Sequence, residues 1–259
     1  MTILTRHDEG GIATLTLNDP GKLNALSVEM LTALHTALDE IAEDDSIRVV
    51  ILAGAGRAFC AGHDLSELRA MRAGEDASGD LRGLFDRCAA MMLRVQSLPQ
   101  PVIARVQGLA AAAGCQLVAT CDMAVAAEDA RFGVNGVNIG LFCSTPMVAL
   151  TRNIGTKAAF EMLTTGRFVP AAEAQALGLI NRTAPAEALE EATLDLARTV
   201  AGKLGAAVRI GKRAFYDQAG MTTAQAYDNA GDVMVRNMAL DETAEGIAAF
   251  LEKREPNWR

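Results

Sequence analysis

Apolar positions recur along the chain with two different periods. In "GIATLTL", Gly11 to Leu17, small or polar residues alternate with apolar ones, which reads as a strand with one face on the core. Met30, Leu31, Leu34, Leu38 and Ile41 follow a helical repeat instead, so a helix is expected from Val28 to about Ala42 with Ser27 as its cap. "IRVVILAGAG" and "PQPVIARVQG" are nearly continuous apolar runs, the pattern of strands buried on both faces, and "DMAVAAED" gives a third. Between these, Asp64 is placed to cap a short helix containing Leu65 and Leu68, and further helices are expected around Leu84 to Ser97 and within Gly108 to Asp122. The polar run Met71 to Asp80 reads as a mobile loop. "STPMVALTRNIG" opens a mostly helical remainder, with Pro146 at a first helical position and Gly155 at a stop. From Pro185 onward helical patterning dominates, with breaks near Gly205, Gly220 and Leu240.

The cadence of strand, glycine-rich turn, helix and strand indicates an α/β fold. A soft boundary near Pro185 divides it into a core over residues 1–185 and a helical region over 186–259. That tail is expected to pack on the core or on another subunit. At 259 residues and 50% hydrophobic, the chain is long enough for one large core. The formal net charge of −8 argues against a nucleic-acid surface, though an anionic small ligand needs only a few local cations. No apolar run reaches the length of a membrane span, and the charged start "MTILTRHDEGG" lacks a signal-peptide core, so a cytoplasmic protein is expected. The five cysteines show no Cys-x-x-Cys pair and the three histidines no ligand spacing, so neither a disulfide framework nor a metal site is expected.

Two turns almost bare of side chains follow strands: "CAGHDL", Cys60 to Leu65, and "AAAAGCQL", Ala110 to Leu117. Little bulk keeps a ligand from the backbone at either place. The second also opens a helix, whose first amides lack partners and carry partial positive charge. Two such amides converging on one oxygen form an oxyanion hole. Close packing alone also explains small residues, and spacing does not separate the two readings. A dinucleotide fingerprint in "GAGRAF" fails, because Phe59 stands where the third glycine belongs.

"AFCAGHDLSEL", "AAAAGCQLVATCDMAVA", "ARFGVNGVNIGLF", "AQALGLINRTAP" and "GIAAFLEKREPNW" together resemble the enoyl-CoA hydratase/isomerase family, the crotonase superfamily. The resemblance runs in order from about Ile12 to Trp258 and is similar in detail to the subgroup called enoyl-CoA hydratase domain-containing proteins. It implies the ClpP/crotonase-like fold of repeated ββα turns with a C-terminal helical trimerisation region. It also implies acyl-CoA thioester substrates, no cofactor beyond the coenzyme A of the substrate, and homotrimers or dimers of trimers. Carried over by position, the oxyanion amides are those of His63 and Ala113. Ala61, Gly62, Asp64 and Leu65 would line the thioester and pantetheine. Lys22, Ala25 and Leu26 would lie near the nucleotide end of CoA, with Lys253 reaching over from a neighbouring subunit.

The chain departs from the family's two water-activating glutamates, which belong at Gln116 and near Gly136. A carboxylate accepts a proton near neutral pH; a carboxamide does not, and glycine offers no side chain. Gln116 is still expected to face the acyl group, since a side chain one turn into a helix leans toward its N-terminus. The His63 ring either serves as a base or points elsewhere. Ser144 and Thr145 read as helix caps, with Ser144 and Cys143 otherwise close enough to touch the acyl chain. The expected function is thus an acyl-CoA enzyme with an oxyanion hole and doubtful hydratase activity. The alternatives are a non-catalytic acyl-CoA binder, or a CoA-ester decarboxylase or thioesterase.

Overall fold

The computed structural model describes residues 2–258. Its larger sheet has six strands in the order β1 (Leu4–Glu9), β2 (Ile12–Leu17), β3 (Val49–Gly54), β4 (Val102–Val106), β6 (Met123–Ala127) and β9 (Arg182–Ala184). Its smaller sheet pairs β5 (Leu109–Ala111) with β7 (Arg131–Gly133) and β8 (Phe168–Pro170). The helices are α1 (Val28–Ala42), α2 (Leu65–Ala73), α3 (Ala77–Ser97), α4 (Ala113–Thr120), α5 (Ser144–Leu150), α6 (Thr156–Thr165), α7 (Ala171–Leu177), α8 (Leu189–Ala201), α9 (Gly205–Gln218), α10 (Thr223–Met238) and α11 (Asp241–Glu252).

A strand of the large sheet, a short strand of the small one and a helix recur as a unit. β4–β5–α4 is one such turn and β6–β7–α5 the next; β4 pairs with β6 and β5 with β7, both in parallel. Each turn therefore places a helix N-terminus just past the small sheet.

The apolar run of β3 is buried over Val49–Ala53, as its unbroken hydrophobicity requires. α8 lies along β2, β3, β4, β6 and β9, so the first helix after Pro185 covers the sheet. Met30, Leu31, Leu34, Leu38 and Ile41 of α1 are fully buried, and the Ser27 hydroxyl accepts the Met30 amide at 3.1 Å.

Several elements differ from the sequence reading. Met71–Asp80 is not a loop: α2 runs to Ala73, and the Asp76 carboxylate starts α3 by accepting the Gly79 amide at 3.0 Å. The Gly108–Asp122 stretch divides into β5 and α4. The charged segment Leu4–Glu9 is an edge strand, pairing with β2 across the Gly10–Gly11 turn. Pro146 is the third residue of α5, and Gly155 precedes α6 instead of ending α5. The breaks at Gly205, Gly220 and Leu240 each fall at a helix end.

Candidate active site

The two bare turns lie side by side. Cys60 and Ala110 form a parallel bridge, with the Ala111 amide donating to the Cys60 carbonyl at 2.9 Å and the Cys60 amide donating to Leu109 at 3.1 Å. Gly62 adopts φ +99°, open to glycine but strained for other residues. A Cβ there would lie 3.0 Å from the Ala112 Cβ and 3.3 Å from the Ala113 nitrogen, so the turn carrying His63 touches the start of α4. Gly114 is packed against the Cys60 carbonyl with no room for a side chain.

Gln116 is the first residue of α4 whose amide bonds back along the helix, to Ala112 at 3.0 Å. The amides of Ala113 and His63 donate no hydrogen bond among the described residues. Both are backbone donors at one junction, free to meet an incoming acceptor.

The first turn is laced to the loop before α1. The Leu26 amide donates to Gly62 at 2.8 Å, the Ala61 amide to Leu23 at 3.0 Å, and the Asn24 carboxamide to the carbonyls of Ala55, Ala58 and Phe59. The Asp64 carboxylate accepts the Ser66 amide at 2.8 Å and an ion pair from Lys22 at 2.8 Å. Its pKa is lowered, first by the Lys22 hydrogen bond. Asp64-x-x-Glu67 has the spacing of a capping box, yet Glu67 accepts the Val28 amide at 2.9 Å and so caps α1 instead. That contact could not be foreseen, because it joins residues 39 apart.

Beside the junction is a cleft of about 470 Å³. One wall is Ala61, His63 and Leu65 with Leu68 and Phe85; another is Ala112 and Ala113; the third is the segment Asn135–Pro146. Ile139, Leu141 and Phe142 on that segment are 45–59% exposed, so the mouth is apolar. No carboxylate, lysine or arginine lines the cleft among the described residues.

His63, Ala113, Ala61, Leu65, Gly136 and Ser144 of the expected set thus share one cleft. Gly62 is buttressed against its wall. Ala25 and Leu26 are buried under the turn, and Lys22 and Asp64 pair with each other outside the cleft walls. Gln116 is buried on α4 and does not line the cleft; its Oε1 has no hydrogen-bond partner. Lys253, in a left-handed conformation at the end of α11, is exposed and does not line the cleft of its own chain.

Ser144 and Thr145 are not caps. Cys143 occupies the cap position of α5 without a side-chain cap bond, and the Ser144 hydroxyl donates to Phe142 at 3.4 Å. Leu68, Asn135, Ile139, Leu141 and Phe142 lie within the motifs that carry the resemblance but were assigned no site role, and Phe85 lies outside them; only the fold gathers all of them at one cleft.

Gly136 is enclosed. A Cβ on it would lie 2.5 Å from the Leu141 carbonyl oxygen and 2.8 Å from the Cys143 sulfur. The Gly136 amide donates to that sulfur at 3.3 Å. Burial raises the Cys143 thiol, and it pushes Cys60 and Cys115 up to about 12, so all three are protonated at neutral pH.

A model of the enoyl-CoA hydratase/isomerase family matches residues 7–259. This chain belongs to that family. A solved enoyl-CoA hydratase of Mycobacterium smegmatis superposes with a TM-score of 0.96 at 53% identity, covering 99% of this chain and 98% of that one. The solved human enoyl-CoA hydratase domain-containing protein 3 gives a TM-score of 0.94 at 41% identity, covering 99% and 100%. The mitochondrial protein of the same name from Danio rerio is 44% identical over 250 residues, which are 96% of this chain and 85% of that protein. The fold is that of the family, with its repeated ββα turns. Membership supports an enzyme related to acyl-CoA chemistry.

Proposed function

We propose that the cleft binds an acyl-CoA thioester with its carbonyl oxygen on the amides of His63 and Ala113. The observation that carries this reading is the contact of Gly62 with the start of α4, which leaves two undonated amides at one junction. The Ala113 amide adds the positive end of α4. A preorganised donor of this kind is worth roughly 3 kcal/mol to a developing oxyanion. Coenzyme A enters as part of the substrate, and the reaction draws on no other cofactor.

Hydration by paired carboxylates is not the reaction proposed. Gln116 is a carboxamide. Gly136 cannot be replaced by glutamate without moving the Leu141 backbone, so Gln116→Glu with Gly136→Glu does not restore a hydratase. A decarboxylase would have to hold a carboxyl-bearing acyl group, and no lysine or arginine among the described residues lines the cleft to meet it. A thioesterase with its own nucleophile is no better served. The thiols are protonated, and Ser144 lies against a carbonyl with no basic side chain bonded to it. Stabilising negative charge on the thioester is what the geometry supports.

The proposed assembly is a homotrimer or a dimer of trimers, held through the helices after α8. Tyr227, Phe250 and Leu251 there are 77%, 83% and 73% exposed, more apolar surface than a lone chain comfortably leaves in water.

The test is binding and turnover on one preparation. Butyryl-CoA should bind saturably, and Gly62→Ala should weaken it at least tenfold while the fold is kept. Hydration of crotonyl-CoA should run about 100-fold or more below an ordinary hydratase. Undiminished binding by Gly62→Ala removes the oxyanion junction; ordinary hydratase turnover removes the argument from the missing carboxylates.

A further inference from the structure

Four large apolar side chains of the cleft are about half-exposed: Leu65 at 58%, Ile139 at 59%, Leu141 at 53% and Phe142 at 45%. Apolar surface gathered at one groove marks a place where something apolar binds. Leu68 and Phe85, both part-buried, continue the same lining. Phe85 stands edge-on to the His63 ring at 5.7 Å and 76°. The apolar wall therefore begins beside the residue whose amide takes the thioester oxygen. Leu68 follows one turn along α2, its amide donating to the Asp64 carbonyl at 3.1 Å.

The cleft is larger than a short acyl group needs. At about 30 Å³ per heavy atom, the share of a water molecule in the liquid, its volume of about 470 Å³ takes roughly fifteen such atoms. A butyryl thioester unit has six, its four carbons with the oxygen and the sulfur; an octanoyl unit has ten. The arm of coenzyme A is poorly suited to the remaining space. It carries two amides, and the side chains of Leu68, Phe85, Ile139, Leu141 and Phe142 offer them no hydrogen-bond partner. A hydrocarbon chain asks for none. Gly136 puts no side chain into the space, and the Leu141 carbonyl and the Cys143 sulfur leave no room for one. No lysine or arginine lines the cleft among the described residues, so a carboxylate at the far end of an acyl chain would lose its hydration without gaining a counter-charge.

We propose that the acyl group of this site is an uncharged hydrocarbon chain of about six to ten carbons, the length that fills the cleft beyond the thioester. It runs from the junction of His63 and Ala113 along Phe85 and Leu68 and ends under Ile139, Leu141 and Phe142. The proposal deepens the thioester reading above and rests on it. A two- to four-carbon group leaves the apolar rim in water, and a dicarboxylic one brings a charge to a wall that cannot meet it.

The experiment measures the affinities of butyryl-, hexanoyl-, octanoyl- and adipyl-CoA by calorimetry on the full chain. A buried methylene is worth about threefold to fourfold in affinity, so octanoyl-CoA should bind about 100-fold more tightly than butyryl-CoA. Adipyl-CoA has the length of hexanoyl-CoA with a carboxylate at its end, and should bind about 30-fold more weakly or worse. Leu141→Ser with Phe142→Ser should cut the octanoyl-to-butyryl ratio by about fivefold or more. Because a ratio is read on one preparation, a loss of folded protein does not mimic this change. Octanoyl-CoA within about threefold of butyryl-CoA overturns the proposal, as does adipyl-CoA binding as tightly as hexanoyl-CoA. A native ratio in the double variant overturns it too. If none of the four esters binds the native chain, the thioester reading falls instead.

Discussion

At Ala112 the backbone takes φ 47° and ψ −116°, a region glycine enters freely and alanine does not. The strain is held by the bond from its amide to the Gly133 carbonyl at 2.8 Å, just past β5 and immediately before Ala113, which lines the cleft. Ala112→Gly should raise stability by about 0.5–1 kcal/mol, because relief of the strain outweighs glycine's added unfolded-state entropy; chemical denaturation measures it. His63 gives a pH signature at the same scale. Its folded pKa lies below 6.5, so as pH falls through that value the unfolded chain gains a proton that the folded ring resists. The contribution is intact above 6.5 and is lost as pH drops toward the folded value. Between about pH 7 and about pH 5 the native chain should therefore lose more stability than His63→Gln, read as a larger fall in urea midpoint.

Among the elements, α9 is fastened to the core by a buried charge. The Lys212 ammonium donates to the carbonyls of Val95 and Gln100, each at 3.0 Å, and to Asp122 at 2.7 Å. Tyr216 donates to the same carboxylate at 2.8 Å, as does the Val102 amide at 2.6 Å. One cluster thus joins α9 to the end of α3, the start of β4 and the end of α4. Burial lowers the Lys212 pKa while Asp122 opposes the shift, so the lysine is held by its partner and not by solvent. Lys212→Met should cost about 3 kcal/mol, since it leaves the carboxylate inside without its counter-charge. Adding Asp122→Asn should recover part of that loss in the same unfolding curves.

For the whole molecule, the exposed apolar side chains of α9–α11 are the surface that the proposed assembly would cover. Phe215 is 66% exposed, and Met234 and Val235 are 61% and 71% exposed. A second copy covering this face removes the patch. Sedimentation should show a trimer or a multiple of it, and Phe250→Glu with Tyr227→Glu should shift the chain toward monomer. A native chain that sediments as a monomer removes the proposed assembly.

The sequence by itself determined the layered α/β architecture, because periodicity is local: α1 with its Ser27 cap and the buried run of β3 are written in adjacent residues. It also determined the two bare turns, and through motif order the family. The charged edge strand β1 was illegible, since Leu4 is buried there and the other five residues of the strand are exposed. The Met71–Asp80 run misled because its polar residues face solvent from a helix end and a helix start. Only the tertiary structure decided the site. Glu67 chose Val28 over its own helix, Lys22 chose Asp64, and the rim from Ile139 to Phe142 met Phe85 across the cleft. These contacts join residues tens of positions apart, and their geometry follows from how the sheets and helices pack, which no window of sequence contains.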